Sequence, residues 1–446
     1  MSEPSADRPP SDAGAATPAA RAAETAPPAT GALARAHAAW RVAEPRVRAA
    51  LPVLAIAIFW LDTVTIVLDR FPLPGGASFG FRSLARNFAI VVLLGHLLGV
   101  PSLRFARATL AAPLIAYLIA AILSVAVNGD AWGDVRLLGT TVAFYVTVRA
   151  LAAHGGAQHV LHWLGVLVVL QLAREFVAQP QLLLLREDLR NTLVTDHPNS
   201  VGYTLAVLLP LFVGTALRPG AGTLPKLYAL AAPLGLLITF SRSAWGTAVL
   251  GLLAMFTTFR RRARSARQHA LLVGAIVLAA LVFASISYLS SSRTEADLQR
   301  LRIIDASLSL FREHWLLGVG FGGPNFKEVF PARYLEMYGE GLFLFHSHNV
   351  VVDVLACTGI VGAAAAAWVV WRLGRLALRS LRAAPAAIST EGVAMAVSIA
   401  VFLAMGLFDV PVSHPKLMLV FAATLAYVET RIEELERERA RRAPDA

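Results

Sequence analysis

Apolar residues occur in long runs, at about 47–68, 83–100, 109–127, 136–152, 157–178, 199–217, 224–240, 242–259, 268–289, 348–371, 387–407 and 412–430. A helix needs roughly 20 apolar residues to cross a bilayer, whereas a barrel strand shows about ten of alternating character. These runs have the first form, and inside a bilayer only a helix satisfies its own amides. The pattern predicts an all-α, polytopic membrane protein of about 12 transmembrane helices, interrupted by a long polar loop over 290–347. Within that loop Ile304, Leu308 and Phe311 have helical spacing, which predicts a surface helix over Asp305 to His314 with Arg300 and Arg302 at its start.

Composition changes the picture at the ends of the chain. Residues 1–46 are rich in Ala, Pro, Ser and Thr without apolar periodicity, so a disordered tail is expected there. The first apolar run lies too far from Met1 and is too long for a cleaved signal peptide. A membrane domain over 47–430 and a short tail over 431–446 complete the expected organisation. With 57% apolar and 15% charged residues, a soluble enzyme, a collagen and a disulfide scaffold are all excluded. The single cysteine, Cys357, can form neither an internal bridge nor a Cys-based metal site.

The net charge of +11 points to cytoplasmic flanks and anionic lipid, with no nucleic acid expected as a partner. With the N-terminus inside, 25 of the 40 Lys and Arg residues fall in inner segments, with the runs at 260–264 and 371–375 as the strongest anchors. Six of the other 15 lie in the long loop, and long loops translocate with little regard to charge. Both termini are therefore expected in the cytoplasm, with the charged run after Glu429 continuing the last helix.

Under this orientation the unexplained polar residues gather on the outer face. Between the fifth and sixth runs, Arg190 and Asn199 are candidates for ligand contact, although Asn199 or Asp196 also suits a helix cap, and His197 a turn before Pro198. Arg242, in Ser241-Arg242-Ser243, stands between two apolar runs with almost no loop around it and reads as either an anion ligand or a headgroup anchor. The glycine-rich stretch from Gly318 to Gly323 permits backbone amides to approach an anion. The loop closes on His346-Ser-His348-Asn349. Two histidines two apart suggest a metal, but on a helix they would diverge and no third ligand stands nearby, so no metal is expected. A histidine titrating near neutrality can instead take a proton from a sugar hydroxyl.

Arginines around a membrane-facing pocket suit a lipid diphosphate, because guanidinium binds phosphate oxygens bidentately and stabilises the charge that develops as the sugar bond breaks. No outer loop carries an Asp-x-Asp metal pattern, so the set suggests metal-free displacement by a hydroxyl. His348-Asn349 followed after nine residues by Gly359-Ile-Val-Gly362 resembles the histidine motif of the O-antigen ligase and polysaccharide polymerase superfamily. Arg190 with His197-Pro-Asn199, then Ser241-Arg242, then Arg302 with Leu317-Gly-Val-Gly320 and Asn325-Phe are similar to that family's other landmarks, in the same order, over about residues 185 to 410.

The resemblance implies a C-type glycosyltransferase of a bacterial inner membrane, working on the periplasmic side without a cofactor. The donor would be an undecaprenyl-diphosphate-linked glycan, and the acceptor a hydroxyl of lipid A core or of a second lipid-linked glycan. By position His348 would be the base, with His346 its competitor; Arg242 and Arg302 would hold the diphosphate, with Arg300 the alternative to Arg302. Arg190, Asn199 and Asn349 would be further substrate contacts. A protein-glycosylating relative is a third outcome within the family. From another class, a transporter or flippase of lipid-linked glycan or a small anion also fits a many-helix chain, with Asp62, Arg174 and Asp353 as its intramembrane charges.

Overall fold

The structure, a computed structural model, describes residues 71–72, 78–79, 109–184, 197–260, 294–383 and 389–442. All lie in one unit, Leu51–Ala446; a second, Met1–Ala50, is outside the described residues. The runs at 47–68, 83–100 and 268–289, and with them Asp62, Arg190 and Asp196, also fall outside.

The described chain is helical apart from a two-residue antiparallel ladder, β1 (Phe71–Pro72) with β2 (Ser78–Phe79). The helices are α1 (Ala111–Asn128), α2 (Trp132–Gly155), α3 (Ala157–Ala178), α4 (Pro198–Ala216), α5 (Thr223–Thr239), α6 (Arg242–Arg260), α7 (Thr294–Glu313), α8 (Gly323–Tyr338), α9 (Val350–Ala383), α10 (Ser389–Met405) and α11 (Pro415–Arg442). Four of them, α1, α3, α4 and α9, are long and apolar enough to cross a membrane, and Thr223–Thr239 and Thr390–Met405 are apolar but shorter.

The protein is a membrane protein by its surface as well. On α5, Leu224, Leu227, Leu230 and Leu234 form an exposed stripe, and Ile119, Ile122, Leu123 and Val127 do the same on α1. A soluble protein buries such stripes; a bilayer solvates them. The helices pack on one another through α4, which is buried nearly all round between α5, α6 and α10. At Gly214 a Cβ would meet that of Ala394 at 2.3 Å, so a small residue sets the close approach of α4 and α10.

The long loop holds two helices where the sequence predicts one. The first starts earlier than expected, at Thr294, so Arg300 and Arg302 lie well inside it. The second, α8, is spaced by four: Phe326, Phe330, Tyr334 and Tyr338 stack successively along one face. That face packs on Ile303, Ala306 and Leu310 of α7, and Tyr338 donates a 2.7 Å hydrogen bond to Asp305.

The helix α9 is broken at Gly359, whose φ of 61° no helix permits. The break frees the carbonyls of Ala356 and Cys357 and the amides of Ile360 and Val361. The segment from Trp315 to Gly320 takes all four: Val319 and Gly320 donate to the carbonyls, while the carbonyls of Trp315 and Leu316 accept from the amides. Ser124 of α1 donates to Leu317 and Cys357 carbonyls at 2.8 and 2.7 Å and closes the splice. Non-helical backbone is tolerated at this depth only because protein groups satisfy it.

Polar residues segregate to the two ends of the bundle. One end carries buried ion pairs. Arg149 is fully buried and pairs with Glu429 at 3.3 Å and with Glu433, while Tyr145 donates to Glu429 at 2.7 Å. Beside them Arg431 holds Glu391 through two hydrogen bonds of 2.8 and 3.1 Å. The charged run after Glu429 thus continues α11 and pairs largely across to other helices, Arg379 with Glu436 included. The other end carries the histidines.

Candidate functional site

At that second end the start of α4, the turn between α5 and α6, and the non-helical approach to α9 come together with the connection from α10 to α11. The residues around His346 and His348 are not helical. His348 has φ 56°, the left-handed region that costs a non-glycine residue roughly 1–2 kcal/mol. Its neighbours hold it there. Asn349 caps α9, its Oδ1 accepting from Val351 and Val352 at 3.0 and 3.2 Å. The Asn349 amide donates to the Leu407 carbonyl at 3.1 Å, and Val350 donates to Gly406 at 2.7 Å, tying the start of α9 to the end of α10. Asp353, one turn in, accepts from the Ser347 amide at 2.9 Å. Both ends of the Asn349 side chain are therefore committed to the backbone.

The non-helical backbone also removes the argument against convergence of the two histidines. Their rings meet edge to face with centroids 4.4 Å apart, and Nδ1 of each faces Oδ1 of Asp409, at 3.7 Å for His346 and 3.6 Å for His348. His414 approaches the other oxygen, its Nε2 3.6 Å from Oδ2. Asn199 donates to Oδ2 at 3.5 Å, and the ring of His197 stacks on that of His414 with centroids 6.3 Å apart. Asp409 is only 2% exposed, and Val410 donates to its Oδ1 at 2.9 Å. Burial pushes this carboxyl up, but His348, His414 and His346 around it outweigh burial and hold it well below the usual carboxylate range. Burial pushes the His346 imidazole down to about 4, against the pull of Asp409, so it is neutral at neutral pH.

Arg242 opens α6 two residues after Phe240, whose φ of 47° makes the turn from α5 that tight. It is half-buried, and its neighbour Ser243 shares a 2.7 Å hydrogen bond with Tyr203, whose ring in turn meets that of His414 at 6.1 Å. Arg242 therefore sits on the histidine end. Arg300 lies on α7 with its side chain exposed. Arg302 points elsewhere: it pairs with Glu340 at 2.7 Å, both about half exposed, and lies over the Tyr338 ring at 5.4 Å. The structure thus brings together His346, His348, Asn199 and Arg242, leaves Arg300 exposed, and draws Arg302 into a surface pair.

The glycine stretch does not cradle an anion. The amides of Val319 and Gly320 belong to the α9 splice, and the Gly323 amide at the start of α8 donates to Asp134 at 2.8 Å. His197 is the N-cap of α4, its Nδ1 accepting from Asn199.

Two members of the site escaped the sequence reading, Asp409 and His414. They occupy Phe-Asp409-Val-Pro-Val-Ser-His414-Pro, a polar pair inside an otherwise apolar stretch, and this was the available signal. Their meeting with His348, 61 residues away for Asp409, is a tertiary fact. Below the cluster an apolar cavity of about 140 Å³ opens, with Val350, Gly406 and Pro411 at its upper end and Tyr145, Leu373 and Leu425 at its lower.

Residues 227–367, from α5 through the break in α9, match the O-antigen ligase family model. A search of curated proteins finds no match.

Proposed function

From the O-antigen ligase domain that residues 227–367 carry, which belongs to the O-antigen ligase and polysaccharide polymerase superfamily, we propose an inner-membrane enzyme that transfers a glycan from undecaprenyl diphosphate to an acceptor hydroxyl on the periplasmic side. The observation that carries this reading is the convergence of His348, Asp409 and Arg242 at one end of a membrane bundle, above an apolar cavity.

Each part has a role in the transfer. His348 presents Nδ1 to Asp409, which leaves Nε2 to take the proton of the acceptor hydroxyl; the buried carboxylate stabilises the imidazolium that results. The attacking oxygen forms its bond to the anomeric carbon as the bond to the diphosphate breaks, with inversion if this is one step. Arg242 and Arg300 neutralise the leaving diphosphate, whose charge needs fixed cations and no metal. Arg190, outside the described residues, is proposed as a further phosphate or glycan contact. Asn199 holds Asp409, Asn349 sets the backbone of His348, and Arg302 anchors the two loop helices to each other. The cavity takes part of the prenyl chain: Val350 and Leu373, on either side of the break in α9, both line it. About 12 spans, with both termini in the cytoplasm, complete the reading.

A flippase would need the opposite end to open. That end carries buried Arg149 and Arg431 pairs, and parting such a pair costs about 3–5 kcal/mol.

The test is transfer in proteoliposomes from a labelled undecaprenyl-diphosphate glycan, with lipid A core or a second lipid-linked glycan as acceptor. Label on lipid A core identifies a ligase, and longer lipid-linked chains a polymerase. No transfer to either, with donor crossing the bilayer instead, would overturn the proposal in favour of the flippase.

A further inference from the structure

The imidazole contacts to Asp409 are too long for ordinary hydrogen bonds. Nitrogen to oxygen hydrogen bonds lie at 2.7–3.2 Å. The three imidazole contacts to this carboxylate measure 3.7, 3.6 and 3.6 Å. Ligands placed about 2.0–2.1 Å from a tetrahedral Zn²⁺ stand about 3.3 Å from one another, so these separations need shrink by only a few tenths of an ångström. One ligand atom each from His346, His348 and Asp409 all lie within 4.8 Å of one another, and His414 stands on the second carboxylate oxygen.

The lone pairs face inward as well. Nδ1 of His346 accepts, weakly at 3.4 Å, from the His348 amide, so its proton is on Nε2 and Nδ1 can ligate. His414 Nε2 is a buried atom without a hydrogen-bond partner. Two imidazoles and one carboxylate, with a fourth position open, form a donor set for a borderline cation such as Zn²⁺, and a poor one for Mg²⁺, which prefers six oxygens.

We propose that His346, His348 and Asp409 form a Zn²⁺ site, with His414 behind the second carboxylate oxygen, and that occupation of this site switches transfer off. The inhibition follows from the tautomer. A metal on Nδ1 of His348 fixes the ring proton on Nε2 and removes the lone pair that receives the proton of the acceptor hydroxyl. Zn²⁺ also takes up the Asp409 charge that would stabilise the imidazolium. This second half rests on the reading of His348 as the base; the binding half does not.

The experiment titrates the untagged, metal-stripped full chain in nanodiscs with Zn²⁺ and with Mg²⁺, using calorimetry and X-ray absorption at the zinc edge. One Zn²⁺ per chain is expected, in a shell of imidazole nitrogens and oxygen at about 2.0 Å, with no Mg²⁺ binding. His346→Ala and the isosteric Asp409→Asn should each weaken Zn²⁺ at least tenfold. Absence of stoichiometric binding, or affinity indifferent to both substitutions, would overturn the site. In the transfer assay Zn²⁺ at saturation should abolish activity, and EDTA should restore it. Saturated site with undiminished transfer would refute inhibition and His348 as the base, while leaving the metal site standing.

Discussion

At the scale of single residues, Asp409 decides how the histidines behave. Replacing it by Asn keeps the volume and removes the charge that favours the imidazolium, so transfer should fall by two orders of magnitude or more, with folding retained. The two loop arginines separate by their surroundings. Arg300→Ala should raise the donor KM at least tenfold, whereas Arg302→Ala breaks an exposed pair worth about 1 kcal/mol or less and should change KM little; equal effects would contradict the placement. Stability should depend on pH through His346. Its pKa is near 4 folded and near 6.5 unfolded, so between those values the unfolded chain binds more protons. Stability is complete above about 6.5 and falls as pH drops, by at most about 1.4 kcal/mol per unit, and a thermal melt series from pH 7 to 4 measures it. His346, His348 and Arg242 were legible in the sequence because they interrupt apolar runs beside turns. Asp409 and His414 do the same, but nothing local marks them as partners of a histidine 61 residues before Asp409.

At the scale of elements, the break in α9 is what places His348 and the loop on one framework. A Cβ on Gly359 would lie 2.3 Å from the Leu316 carbonyl carbon, at a positive φ, and one on Gly318 would lie 2.3 Å from that of Cys357. Gly359→Ala should therefore lower the melting temperature markedly and release the Trp315–Gly320 segment. Gly374→Ala, in the same helix with open space around it, should be neutral or stabilise by up to about 1 kcal/mol; a comparable loss from both would argue against the splice. Hydrophobic length announced most of the described helices because periodicity and length are local properties. It also set the end of α9 too early, since that helix runs past the apolar run to Ala383 on arginines that snorkel or pair. The second loop helix was hidden for a different reason: its aromatic ladder from Phe326 to Tyr338 is short and interrupted by Pro331, and it pays off only against α7.

At the scale of the molecule, one end carries buried ion pairs and the other the histidine–aspartate cluster, with an apolar cavity beneath it, an asymmetry suited to chemistry on one face. The periplasmic side is proposed for the histidine end. Because Cys357, the single cysteine, is buried, an introduced thiol can report the side directly. Gly341→Cys, near the histidines in sequence, should react with an impermeant maleimide in intact spheroplasts, and Arg382→Cys only after lysis; the reverse pattern would invert the topology. The charge distribution along the chain predicts this orientation, while the buried pairing of Arg149 with Glu429 at the opposite end required the fold. The central claim is a histidine base at a diphosphate site, working without a metal. Its most direct measurement is glycan transfer in reconstituted membranes by wild type and His348→Ala, each in excess EDTA. Full wild-type transfer with the variant reduced at least a hundredfold is the predicted result; wild-type activity abolished by EDTA, or a variant as active as wild type, would contradict it.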